Sequence, residues 1–163
     1  MTTLFEGDEL ADTLSLLGVS HVVWVPDSTT GRWEPAFQAS RSVSLVRVCR
    51  EGEAWPLAAG LLLGGQRPLV VMQSTGLFES GDALRNIVFD LKLPLCAIIG
   101  ARNWLIPESR DSAKRLILPI LQAWGLPFDV IEQAEDKPLL AKRYQWTQQT
   151  QRAGFVVLAE GKG

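Results

Sequence analysis

The sequence predicts an α/β domain: a three-layer sandwich around a central six-stranded parallel sheet. Three observations predict it. First, six short apolar runs recur, at Val22–Val25, Leu45–Cys49, Leu69–Met72, Leu95–Ile99, Phe128–Ile131 and Phe155–Ala159. Most are continuous and rich in Val, Ile or Leu, as strands buried on both faces are. Second, the segments between them carry helical patterns, and strands that alternate with helices build a parallel sheet through right-handed crossovers. Third, polar residues gather just after four of the runs, which in a parallel sheet is one edge.

Taken in order, Asp8–Leu17 is amphipathic, with Gly18 as a natural stop. The longer helix candidates are Ala54–Leu63, Gly81–Leu91, Ser112–Trp124 and Lys137–Gln151. Asp111 or Ser112 caps the third of these and Gly125 ends it. Arg102–Arg110 is the longest loop inside the fold, and long loops in compact domains are often functional. The residues after Ala159 read as a frayed end. No internal repeat, low-complexity tract or linker interrupts the chain, so residues 1–163 read as a single domain.

Composition narrows the function classes. The chain is 47% hydrophobic and 21% charged with net charge −2. There is no basic excess to seek nucleic acid. The N-terminus lacks the cationic start and apolar run of a signal peptide. No apolar run reaches the roughly 18 residues that a membrane span needs. Cys49 and Cys96 both sit in apolar runs without metal-ligand spacing and read as buried thiols of a reducing compartment, which points to the cytoplasm.

Open parallel sheets bind ligands outside the carboxyl ends of their strands. That rule selects Pro26-Asp27-Ser28-Thr29, Arg50-Glu51, Gln73-Ser74-Thr75-Gly76 and Ala101-Arg102-Asn103. The only histidine, His21, precedes the first run and so falls at the opposite edge, which excludes a Ser-His-Asp or Cys-His arrangement within one chain. There is no GxGxxG, no GxxxxGK[ST] and no cluster with metal-ligand spacing. If the chain is part of an enzyme, a cofactor or another chain carries the chemistry.

The stretch REGEAWPLAAG, Arg50–Gly60, places two carboxylates before a helix with hardly any polar face. It resembles the start of the pyrimidine-binding (PYR) domain of thiamine diphosphate enzymes, where a glutamate follows the second strand and precedes a glycine of the next helix by nine positions, as Glu51 precedes Gly60. VPDST at Val25–Thr29, RPLVVMQSTGLFESGDAL at Arg67–Leu84 and ESRDSAKRLILPILQAWGLPF at Glu108–Phe128 resemble the alpha chains of sulfopyruvate decarboxylase and the matching half of phosphonopyruvate decarboxylase. The likeness covers nearly the whole chain.

The resemblance implies the alpha subunit of a thiamine diphosphate-dependent 2-oxo acid decarboxylase. Glu51 would meet the aminopyrimidine ring and activate the cofactor, and burial beside an apolar helix would raise its pKa against the opposing pull of the helix start. The apolar helix would be covered at a domain junction. Family members hold Mg²⁺ and the diphosphate with a GDG-type motif followed by Asn in a diphosphate-binding (PP) domain. This chain has no such motif, so a separate beta subunit would supply it, with homodimerisation through the PYR domain.

The remaining site residues keep two readings each. Glu53 is either a second acidic residue of the site or a decoration of the helix start. Asp27 and Ser28 either approach the 2-oxo acid, with Asp27 in proton transfer, or form a turn that caps the next helix. Gln73, Ser74, Thr75 and Gly76 either contact the cofactor or cap a helix. Arg50, Arg102 and Arg110 either answer an anionic substrate, Arg102 foremost, or form ordinary ion pairs. Trp55 and Pro56 depart from the family's small helix formers. Proline in a first turn implies a helix beginning near Ala54 or Trp55, and Trp55 either leaves the pocket open or plugs it. A plug would favour a non-catalytic PYR-like scaffold or regulatory partner; a thiamine diphosphate carboligase subunit is the other alternative.

Overall fold

All six apolar runs form strands, which the computed structural model shows in one all-parallel sheet; residues 4–160 are described. The strands are β1 His21–Trp24, β2 Ser44–Arg47, β3 Pro68–Gln73, β4 Cys96–Ala101, β5 Phe128–Ile131 and β6 Gly154–Ala159, in the order β2-β1-β3-β4-β6-β5. Registers place the strand starts level, His21 beside both Ser44 and Pro68, and Cys96 beside Gly154.

The continuous apolar runs divide residue by residue between two cores, because successive side chains on a strand point to opposite faces. Val23, Val70, Met72, Ala97, Ile99, Phe155 and Val157 face one helical layer. Val22, Trp24, Leu69, Val71, Cys96, Ile98, Val156 and Leu158 face the other. The first layer holds α3 Glu51–Leu63, α4 Ser74–Glu79, α5 Gly81–Arg85 and α6 Ser112–Ala123. The second holds α1 Gly7–Leu16, α2 Glu34–Ala39 and α7 Pro138–Thr150. The result is the expected three-layer sandwich. Full two-sided burial holds for β3, β4 and β6, while the outer strands β2 and β5 are only partly covered.

Three expectations need correction. The single helix expected over Gly81–Leu91 is α5 followed by a wider π turn at Asn86–Asp90, and a further helix, α4, starts directly off β3. Ser80 separates α4 from α5, where its hydroxyl accepts from Trp55 Nε1 at 2.9 Å. The segment between β1 and β2 also folds into a 3₁₀ turn, Gly31–Trp33, and α2, anchored by buried Trp33 and Phe37. Cys49 is exposed, because it follows an edge strand that ends before it; Cys96 is buried, and burial pushes its thiol up to about 12. Of the residues after Ala159 expected to fray, Glu160 is buried and hydrogen-bonded, and residues 161–163 lie outside the described residues.

Candidate functional site

The chain runs outward from β1 to β2, then returns past β1 to β3, so the connections reverse direction between β1 and β3. Open α/β sheets bind ligands at such a switch point. Elements flanking this crevice carry Asp27–Thr30, Glu51 and Gln73–Gly76. His21 lies at the far edge, with Ser20 Oγ 2.8 Å from its Nδ1.

The two carboxylates before α3 have different surroundings. A helix start leaves amides without intrahelical partners. Glu53 Oε2 accepts from the amides of Cys49 at 3.0 Å and Arg50 at 3.3 Å. Glu79 Oε2 accepts from the Gly52 amide at 2.8 Å, and its other oxygen accepts from Arg50 Nε at 3.1 Å. The Arg50 guanidinium, with the Gly52 amide, holds the Glu79 carboxyl below its ordinary range. These contacts start the helix at Glu51, one turn earlier than the proline implied. Pro56 therefore sits in the second turn, on the exposed side, where it forgoes the bond to the Gly52 carbonyl.

The Glu51 side chain makes no hydrogen bond or ion pair to any described residue, and its nearest cation is the neighbouring Arg50, which pairs with Glu79 instead. It is half-buried, and its side chain lies across Gly76 at the start of α4. A Cβ on Gly76 would meet Glu51 Cγ at 2.5 Å and Oε1 at 2.7 Å. Only glycine leaves room for this contact.

Trp55 is no plug. It is wholly buried on the sheet side of α3, tilted against Phe155 with ring centroids 5.9 Å apart. Its Nε1 donates to Ser80 Oγ, so the indole is held within the core between α3, Ser80 and the sheet. The cover expected all round α3 is present on one side only: Ala54, Trp55, Ala58 and Ala59 are buried, while Leu57 is 38% and Leu63 72% exposed. Gly60 lies on the same open side.

Asp27 adopts the turn geometry. Its Oδ1 accepts from the amides of Thr29 at 2.7 Å and Thr30 at 2.8 Å, and Oδ2 accepts from Thr30 Oγ1 at 2.9 Å. Ser28 is exposed at the tip of that turn. Thr29 and Thr30 are buried over Gly100, where a Cβ would meet Thr30 Cγ2 at 2.7 Å. Thr29 Oγ1 donates to Gln73 Oε1 at 3.3 Å and Trp24 Nε1 donates to Thr30 Oγ1 at 3.1 Å. The loop after β1 thus lies over the ends of β3 and β4. Ser74 Oγ donates to the Gly100 carbonyl at 3.3 Å rather than capping α4, and Thr75 is half-buried beside it.

The three arginines separate. Arg50 pairs with Glu79. Arg102 Nε donates to Asp111 Oδ2 at 2.8 Å, which also accepts from Asn103 Nδ2 at 3.0 Å. Arg102 foremost holds the Asp111 carboxyl down at about 2, against burial and with help from the Ala113 amide. Arg110 is exposed.

Sequence reasoning missed Glu160 and Arg32. Glu160 directly follows β6 and is fully buried; its Oε2 pairs with the Arg32 guanidinium and its Oε1 has no partner among the described residues. Burial, aided by Asp27 and opposed by Arg32, pushes the Glu160 carboxyl up to about 7. The one available signal was a carboxylate immediately after an apolar run.

Fold and site together define an α/β domain with an all-parallel sheet and an unpaired carboxylate beside its switch point. The chain is similar to a sulfopyruvate decarboxylase of Methanosarcina acetivorans, with 30% identity over 98 residues, or 58% of this chain. The match spans 25% of that relative's length. No protein-family model matches the chain. The relationship is sulfopyruvate decarboxylase-like, in line with the resemblance carried by the sequence motifs.

Proposed function

We propose that this chain is a PYR-type subunit of a thiamine diphosphate-dependent 2-oxo acid decarboxylase of sulfopyruvate or phosphonopyruvate type. The observation that carries this reading is the Glu51 carboxylate, unpaired and laid across Gly76 at the ligand edge. The residues fit an aminopyrimidine. A carboxyl group without a partner suits a ring nitrogen, and Gly76 leaves bare backbone beneath it.

When bound, thiamine diphosphate supplies a carbon nucleophile and an electron sink for loss of carbon dioxide. Glu51 would hold the ring nitrogen N1′ and would hold or release a proton there. Gln73, Ser74, Thr75 and Gly76 form the floor beside it. Asp27 orders the loop that presents Ser28 to the 2-oxo acid. Arg102 engages Asp111 through Nε, which leaves its terminal nitrogens for the substrate's anionic group.

A PP-domain beta subunit brings Mg²⁺ and the diphosphate anchor. The matched stretch is a quarter of the relative's length, so in this reading the rest of the site comes from outside these 163 residues. The open apolar face of α3, through Leu57, Gly60 and Leu63, supports homodimerisation there.

The test is carbon dioxide release by the chain purified with its beta subunit, over sulfopyruvate, phosphonopyruvate and simpler 2-oxo acids. Glu51→Gln should lower turnover by about 10²–10⁴-fold, the usual contribution of a positioned acid–base group. Undiminished turnover would remove Glu51 from the site. Failure of the complex to release carbon dioxide from any 2-oxo acid would remove the activity.

A further inference from the structure

We infer that Glu160 is a positioning residue that, through Arg32, latches the loop carrying Asp27, Thr29 and Thr30 over the carboxyl ends of β3 and β4. The inference goes beyond the thiamine reading and would stand if Glu51 bound nothing.

The latch joins groups 128 positions apart in the chain. On one side, the Glu160 backbone is fixed both ways: its amide donates to the Ala101 carbonyl at 3.3 Å, and its carbonyl accepts from the Leu105 amide at 3.1 Å. On the other, Arg32 stands in the 3₁₀ turn that continues the Asp27 loop, whose Gly31 amide donates to the Asp27 carbonyl at 2.8 Å. A buried ion pair is weak evidence for stability, and a buried oxygen without a donor is a cost. The geometry therefore favours a positioning role over a simple contribution to folding.

The charged groups that act on Glu160 are Arg32 and Asp27, both on the loop; β4 and the turn after it meet Glu160 through backbone. Burial dominates, so the closed latch prefers the protonated acid. Opening the latch to water returns the carboxyl towards its ordinary value of 4.5. The latch is then firmest below that value and loosens as pH rises through about 7.

Amide hydrogen exchange of the full chain tests this, at Thr29, Thr30 and Gly31, with Ile98 and Ile99 of β4 as references. After correction for intrinsic rates, loop protection should fall roughly tenfold or more relative to β4 between about pH 5.5 and about pH 8.5. In Glu160→Gln the loop should stay protected across that range. The inference is overturned if wild-type loop protection ignores pH, if the pH dependence survives in Glu160→Gln, or if loop and β4 amides always exchange together. Should Glu160→Gln not fold, Arg32→Gln at its partly exposed position serves instead. It should lower loop protection at every pH and leave β4 unchanged, and unchanged loop protection would sink the latch.

Discussion

Glu51 rests on Gly76 so closely that a methyl group on Gly76 would stand 2.5 Å from Glu51 Cγ. The contact joins the start of α3 to the start of α4 and leaves the carboxylate free of other bonds. Gly76→Ala should therefore turn Glu51 away while leaving the fold within about 1 kcal/mol of wild type, since alanine is the better helix former. Turnover of the complex should fall by about 10²-fold or more, close to Glu51→Gln. Steady-state rates with parallel thermal melts check this, and normal rates would show that the contact is incidental.

Glu53 and Glu51 should separate cleanly. Glu53 accepts two amides at the helix start, so Glu53→Ala should cost about 0.5–2 kcal/mol. The melting temperature should drop by about 2–4 °C for each kcal/mol, with activity per folded molecule retained. Glu51→Gln should show the reverse, an unchanged melt and lost activity. Melts and rates on the two variants decide it.

Trp55 is a core residue whose Nε1 donates to Ser80. Trp55→Phe should destabilise the chain by about 1–3 kcal/mol in chemical denaturation, through a lost buried bond and lost volume. Cofactor affinity of the complex should not improve. An improvement would mean that the indole does obstruct the site.

Two carboxyl groups give the pH–stability curve opposite slopes in separate windows. Asp111 is lowered from 3.8 to about 2, so its stabilisation is present above about 3.8 and is lost as pH falls through about 2. Glu160 is raised from 4.5 to about 7, so its contribution is present below about 4.5 and is lost as pH rises through about 7. Urea unfolding across pH should show Asp111→Asn flattening the acid limb and Glu160→Gln flattening the neutral one. Identical limbs in variant and wild type would contradict each assignment.

The strands were legible because a buried parallel strand is a local pattern. Phe128–Ile131 is β5 residue for residue, and the other five runs match within two residues at either end. The helix start at Glu51 was not legible, because it depends on Glu79, which lies 27 positions from the Gly52 amide it caps. Asp27 illustrates a middle case: Asp followed by Ser and Thr carried the turn, but nothing local said that the turn would cover Gly100.

By itself, then, the sequence determined the layered parallel sheet and the edge at which polar residues collect, because residue periodicity and strand direction are properties of short segments. Only the tertiary structure decided that Glu79 serves the helix start while Glu51 stays free, that Trp55 turns into the core, and that Glu160 is buried on Arg32. Each of those outcomes depends on which distant group arrives to satisfy, cover or displace a side chain, and packing alone brings such groups together.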